Sequence, residues 1–189
     1  MRIAVKDNAP VWKNWQQFLQ VDENKSELFH LLAEDLPNCP TVQSFQGTII
    51  ATDTEKVVSF GNIDNHSLTP CNHEEADTRI LLHVKYAAES GHRKISITAV
   101  DTDVVVLAVS FFHELNIDEL WIEFGVGRKK RWLPVHEYAA SLGRIVCSGL
   151  RFWFAFTGCD TVSAFCGKGK KTCWNIWKSF PEVNECFTW

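Results

Sequence analysis

Asp101 and Asp103 close an apolar run, Lys94 to Val100, as Asp-Thr-Asp. In an extended chain, residues two apart face the same side, so both carboxylates can converge on one point. Two adjacent acids repel, and a hard cation such as Mg²⁺ relieves the repulsion by taking their oxygens as ligands. The alternative is that one acid caps a following helix and the other is solvated. Glu75 and Asp77 form a second pair, in His73-Glu74-Glu75-Ala76-Asp77-Thr78-Arg79. Inside a helix, positions two apart diverge by about 200°. At a helix start the first of them is not yet wound in, and both can reach one site. The other readings are a capping box of Asn72 with Glu75, an i,i+4 ion pair of Glu75 with Arg79, and the preference of acids for helix N-termini.

A third element runs Ala155-Phe156-Thr157-Gly158-Cys159-Asp160, with Gly167-Lys168-Gly169-Lys170-Lys171 further along the chain. An apolar helix ending at Gly158 presents Asp160 at its exit. Free backbone N–H groups at the Gly-x-Gly turn, beside Lys168, Lys170 and Lys171, can hold a phosphate. Most such turns, however, only connect helices.

The elements that must position these residues are set by the apolar pattern. Trp12 to Leu36 reads as helical, with Asn24 placed to cap a second helix, and Pro37 and Pro40 end it. Residues 47–60 read as a hairpin around the polar turn Asp53-Thr54-Glu55-Lys56. Ile80, Leu81, Val84, Ala87 and Ala88 stripe a helix from Glu74 to Ser90, which Gly91 stops. Lys94 to Val100 has the β-branched content of a buried strand. Val104 to Leu115 is expected to be helical despite its valines, because the chain must return across the sheet. Strands are expected near Leu120–Phe124 and Arg131–Val135, helices over 134–142 and 143–157, and a last helix from Lys170 to Ser179. The alternation predicts an α/β fold with a mainly parallel central sheet flanked by helices. A strand ending in Asp101 then places the acids where open α/β sheets bind ligands.

The bulk numbers narrow the function classes. A chain of 189 residues, 46% hydrophobic and 22% charged, can bury the core of one domain. We divide that domain into a helical lead-in (1–45), an α/β core (46–142) and C-terminal helices (143–180). A net charge of -4 argues against binding nucleic acid by bulk charge, though a local basic strip remains compatible with it. No apolar run approaches the roughly 20 residues of a membrane span, and the start of the sequence does not read as a signal peptide. The seven cysteines contain no C-x-x-C pair, which predicts reduced thiols in a nuclear or cytoplasmic setting. Cys159, Cys166 and Cys173 recur every seven residues, but Gly167 and Gly169 break any shared helix, and Cys71-x-His73 lacks a second pair for zinc.

In combination the motifs carry a resemblance. Glu75-Ala76-Asp77, then Asp101-x-Asp103, then Gly158-Cys159-Asp160 with Gly167-x-Gly169 beyond, resembles the flap-endonuclease branch of the PIN-like (5′-nuclease) superfamily. The chain resembles more closely still a transposon-associated family of animal proteins. Its strings are matched here by Asn14-Trp15 with Phe18-Leu19, Glu74 through Ile80, Asp101 through Val104, and Phe156 through Lys170. The likeness covers about residues 12 to 180, and the last two strings are specific.

The resemblance implies a PIN-like fold with a C-terminal helix–turn–helix. It also implies phosphodiester hydrolysis on DNA, or less readily RNA, by two Mg²⁺ or Mn²⁺ ions about 4 Å apart. Glu75, Asp77, Asp101, Asp103 and Asp160 become the catalytic metal ligands. Gly167, Lys168, Gly169, Lys170 and Lys171 become the nucleic-acid-binding turn. The nucleases also begin with a strand bearing another catalytic Asp. No apolar strand ending in Asp precedes residue 45, and Asp53 reads as a hairpin-turn residue. The chain therefore reads as the C-terminal part of a longer family member, truncated before the first strand. A site one carboxylate short would bind metal weakly and cut poorly.

The alternative is a non-catalytic descendant that binds nucleic acid or protein. Arg128-Lys129-Lys130-Arg131 bears on it: such a run can touch phosphate or serve as a nuclear import signal, and it can equally be a solvated hairpin tip. Thiol chemistry through Cys159 would need a histidine base, and the sequence places none beside it.

Overall fold

A computed structural model describes residues 3, 5, 13–53, 56–61, 66–68, 76–158, 167, 169–180 and 182–183. The fold is α/β, and its contacts divide it into two compact units, Met1–Glu74 and Glu75–Trp189.

The first unit begins with α1 (Trp15–Leu19), whose N-terminus is capped by Asn14 Oδ1 accepting from the Gln17 N–H at 3.1 Å. Helix α2 (Asp22–Asp35) comes next, with Asp22 and Glu23 in its first turn complementing the helix dipole. Asn24 does not cap it. That residue lies inside α2, fully buried, where its Oδ1 accepts from the Ile3 N–H and its Nδ2 donates to the Phe18 carbonyl. A buried amide must find partners, so Asn24 joins α1 to α2 instead of starting a helix. Leu36-Pro37-Asn38 make one 3₁₀ turn, and α3 (Pro40–Gln43) starts on a proline, which needs no N–H partner there. Strands β1 (Ile49–Asp53) and β2 (Lys56–Phe60) form the expected antiparallel hairpin, with Ala51 opposite Val58.

The second unit opens with α4 (Ala76–Glu89). Gly91, at φ 92°, takes the left-handed conformation that lets the His92 N–H reach the Ala87 carbonyl at 3.0 Å and stop the helix. Strand β3 (Lys94–Ala99) leads into α5 (Thr102–Phe111), which returns the chain to β4 (Glu119–Phe124), parallel to β3 with Ile97 opposite Ile122. Arg93 secures this return: its guanidinium donates to the carboxylate of Asp118 at 2.7 Å and to the Asn116 carbonyl at 2.5 Å. Strand β5 (Arg131–Pro134) pairs antiparallel to β4 and runs directly into α6 (Val135–Leu142), then α7 (Arg144–Phe156) and α8 (Lys170–Lys178). Among the described residues this sheet has the order β3-β4-β5 and is mixed, with one parallel and one antiparallel pair.

Ala108, Leu120, Ile122, Val135, Ala139 and Cys147 are completely buried in one core, shared with Val84 of α4 and Leu150 of α7. The helices thus share the core with one face of the sheet. The expectation that β3 is buried throughout is corrected: only Ile95, Ile97 and Ala99 turn inward, while Lys94, Ser96 and Thr98 are exposed. In and against the same core, Trp153 and Trp177 stack with ring centroids 5.8 Å apart and planes within 15°, and Trp174 meets both edge-on. The indole N–H groups of Trp153 and Trp177 are buried without a hydrogen-bond acceptor among the described residues. Beside this trio an apolar cleft of about 470 Å³ is walled by Phe152, Phe156, Ile176 and Phe180.

Candidate functional site

Three of the expected acids stand at ends of elements in the second unit. Helix α4 has 14 residues, about 21 Å at 1.5 Å per residue. Strand β3 has six, about 20 Å. A short turn joins them and both enter the same core, so the first turn of α4 and the end of β3 each lie about 20 Å of element length away from that turn. Asp77 lies in that first turn, and Asp101 and Asp103 stand where β3 gives way to α5.

Asp101 is extended (φ -98°, ψ 139°) and its Oδ1 accepts from the Asp103 N–H at 3.0 Å. It is the N-cap of α5, and Asp103 sits in the first turn, where the helix dipole favours an acid. Asp101 is exposed, while Asp77 and Asp103 are half-buried. Capping occupies one oxygen of Asp101, so the carboxylate retains further lone pairs for a hard cation. Yet among the described residues no group of three or more His, Cys, Asp or Glu side chains is gathered closely enough to hold a metal ion. Glu75 and Asp160 lie outside the described residues, as does Lys168.

The rest of the expected nucleic-acid turn leads into α8. Gly167 is exposed at φ 71°, and Gly169 is the extended N-cap residue, with no side-chain cap on the helix. Lys170 and Lys171 occupy the exposed first turn, but the Lys170 ammonium lies 3.3 Å from the centroid of the Phe154 ring, a cation–π contact that ties α8 to α7.

The basic run falls at the acidic edge. Because β3 and β4 are parallel, β4 ends beside β3, and the Gly125 N–H donates to the Ala99 carbonyl at 3.1 Å. The tip then folds as a 3₁₀ turn, Gly127–Lys129. A side chain at Gly125 would be strained: the residue has φ 98°, and a Cβ on it would stand 3.0 Å from the Lys129 carbonyl oxygen. Lys130 pairs with Glu123 at 2.8 Å, and the Arg131 guanidinium covers the Phe124 ring at 5.4 Å. Arg128 and Lys129 are exposed and make no ion pair among the described residues. Val100 and Val126, 65% and 67% exposed, are near them in the chain or at the same edge.

Sequence reasoning missed one cluster, in the first unit. Asp53 is not a solvated turn residue. It ends β1, is 6% exposed, and its Oδ2 lies 2.6 Å from His30 Nδ1, whose Nε2 is 3.3 Å from Glu34. The hydrogen bond to Asp53, then the charges of Glu34 and Asp53, hold the His30 pKa above the ordinary imidazole value. The two carboxylates address opposite ring nitrogens and so do not converge as metal ligands. The i,i+4 spacing of His30 and Glu34 is the one signal of this cluster in the sequence; the long-range partner leaves none.

Comparison with protein-family models, with curated proteins and with solved structures finds no match for this chain.

Proposed function

We propose that the second unit is a nuclease-like domain that hydrolyses phosphodiesters of DNA or RNA with Mg²⁺ or Mn²⁺. In this reading β3 and β4 are the parallel pair of a PIN-like central sheet, and residues 167–171 form the turn of a helix–turn–helix on the nucleic-acid backbone. The observation that carries it is that Asp101 and Asp103 stand where β3 gives way to α5, beside the cationic tip of β4 and β5, with Asp77 in the first turn of α4. Glu75 and Asp160 complete the donor set in the motif order. These are all hard oxygen donors, the type that Mg²⁺ and Mn²⁺ take. When bound, the cation supplies Lewis acidity and lowers the pKa of water. The chain's own residues present the carboxylates on helix and strand ends, and Arg128 and Lys129 draw the phosphate backbone toward them.

The test is thermal stability with and without Mn²⁺, in the wild type and in Asp101→Asn with Asp103→Asn. A metal-dependent rise that the variant loses supports the site, and no rise in the wild type sinks it. Cleavage of single-stranded and branched DNA, with Asp77→Asn as control, then tests catalysis.

A second reading, a non-catalytic nucleic-acid-binding module, is favoured by the duty Asp101 already performs as the cap of α5. Under it, binding persists in EDTA and no preparation cleaves.

A further inference from the structure

The face of the β3-β4-β5 sheet turned away from the core bears a row of side chains fixed by register. Thr98, Glu123 and Trp132 stand opposite one another across the three strands, and Ser96, Trp121 and Pro134 form the next row. Opposed residues share a face, so Trp121 and Trp132 are diagonal neighbours, with backbones about 7–8 Å apart. Trp121 is anchored: its indole N–H donates to Glu119 at 2.9 Å and its ring meets His136 edge-on at 5.0 Å. Trp132 is 55% exposed. The two acids of this face are neutralised, Glu119 by Lys94 at 2.6 Å and Glu123 by Lys130 at 2.8 Å. Arg128 and Lys129, which make no ion pair among the described residues, lie at the tip a few residues before Trp132 in the chain.

We propose that this face and its tip bind single-stranded nucleic acid, with Trp132 stacking a base beside the Trp121 floor and Arg128 and Lys129 contacting phosphates. Stacking is tolerant of sequence because every base has a π-face, and a backbone-tracking cation supplies the rest of the affinity. A duplex keeps its bases stacked on one another, so it cannot place one on Trp132 without unpairing. The charge arrangement favours this occupant over an acidic or apolar protein surface: an exposed aromatic ring on the strand that follows two exposed cations matches a base and its phosphates. The inference rests on the nuclease-like reading for the step after binding. It supplies the substrate class, a single strand passing the tip toward the edge of Asp101 and Asp103.

The experiment is fluorescence anisotropy of labelled oligo(dT), oligo(U) and a blunt DNA duplex, titrated with the whole chain in EDTA at several salt concentrations. The wild type is expected to bind single strands more tightly than duplex, and the dT and U arms show whether DNA or RNA is preferred. Trp132→Ala is expected to weaken single-strand binding about tenfold, and Trp132→Phe to restore most of it. Arg128→Gln with Lys129→Gln is expected to lower the slope of log affinity against log salt by about 1.4, the value for two single-strand phosphate contacts. Circular dichroism confirms that each variant is folded. Equal affinity for duplex and single strand, or single-strand affinity unchanged in folded Trp132→Ala, overturns the proposal. Cleavage with Mn²⁺ is read separately. Trp132-dependent binding without cleavage sinks the hydrolase reading alone, and cleavage indifferent to Trp132 sinks the platform alone.

Discussion

His30 Nδ1 and Asp53 Oδ2 stand 2.6 Å apart, joining the middle of α2 to the last residue of β1. The carboxylate is buried while the ring is half in solvent. A histidine whose pKa rises on folding stabilises the fold fully below its unfolded value, near 6.5, and that contribution is lost as pH rises through the higher folded value. Urea melts across a pH series are therefore expected to show stability falling from about pH 6.5 upward. His30→Gln should flatten that slope. An identical slope in the variant would remove His30 as its source.

Asp101 has a duty in folding that separates from any duty toward a cation. Asp101→Ala removes the cap of α5 and is expected to cost about 1 kcal/mol. Asp101→Asn keeps an acceptor for the Asp103 N–H and should melt close to the wild type, while losing any Mn²⁺-dependent stabilisation. Paired melts with and without metal check both outcomes; equal losses in the two variants would contradict the capping role.

Leu120 is completely buried on β4, in the core that α5 and α6 share with the sheet. Leu120→Ala is expected to cost about 2–5 kcal/mol. In urea it should move the midpoint with little change in slope. A shift worth under about 1 kcal/mol would mean that this core collapses onto the deletion.

The tip of β4 and β5 depends on Gly125. Gly125→Ala must hold a side chain at φ 98° against the Lys129 carbonyl, which is expected to cost about 1–3 kcal/mol and to displace Arg128 and Lys129. Single-strand affinity should fall with it. Undiminished affinity in the folded variant would show that the tip takes no part in binding.

Two thiols should differ in reactivity. Hydrogen bonds from the Val42 and Thr41 backbone at the start of α3 hold the Cys39 thiol below its ordinary pKa, whereas burial pushes Cys147 up. Timed alkylation read by mass spectrometry should label Cys39 well before Cys147, and the reverse order would overturn the assignment.

The helix of Ala76–Glu89 and the cap at Asp101 are legible in the chain because each is a local pattern: a stripe at helical spacing, or an acid before a run that must turn. Lys94 to Ala99 alternates polar and apolar residues, a sign of a half-covered strand, but its β-branched residues point to burial on both sides. Asn24 misleads because its partners, Ile3 and Phe18, lie outside the helix it is expected to start. His30 and Asp53 are 23 residues apart and meet only once a hairpin packs on a helix. Of the acidic edge, the order of motifs is visible in the sequence; the arrival of Arg128 and Lys129 beside it is not, since it depends on the parallel pairing of β3 with β4.

The stacked Trp153 and Trp177 have an optical consequence. Two indoles with nearly parallel planes and centroids 5.8 Å apart are close enough for their electronic transitions to couple. One of them belongs to α7 and the other to α8. The contribution of this pair to circular dichroism would be lost when α8 leaves α7, even if both helices stayed wound, while that of Trp174 with Trp177, both on α8, would stay. The protein thus carries a built-in gauge of whether its last helix is seated.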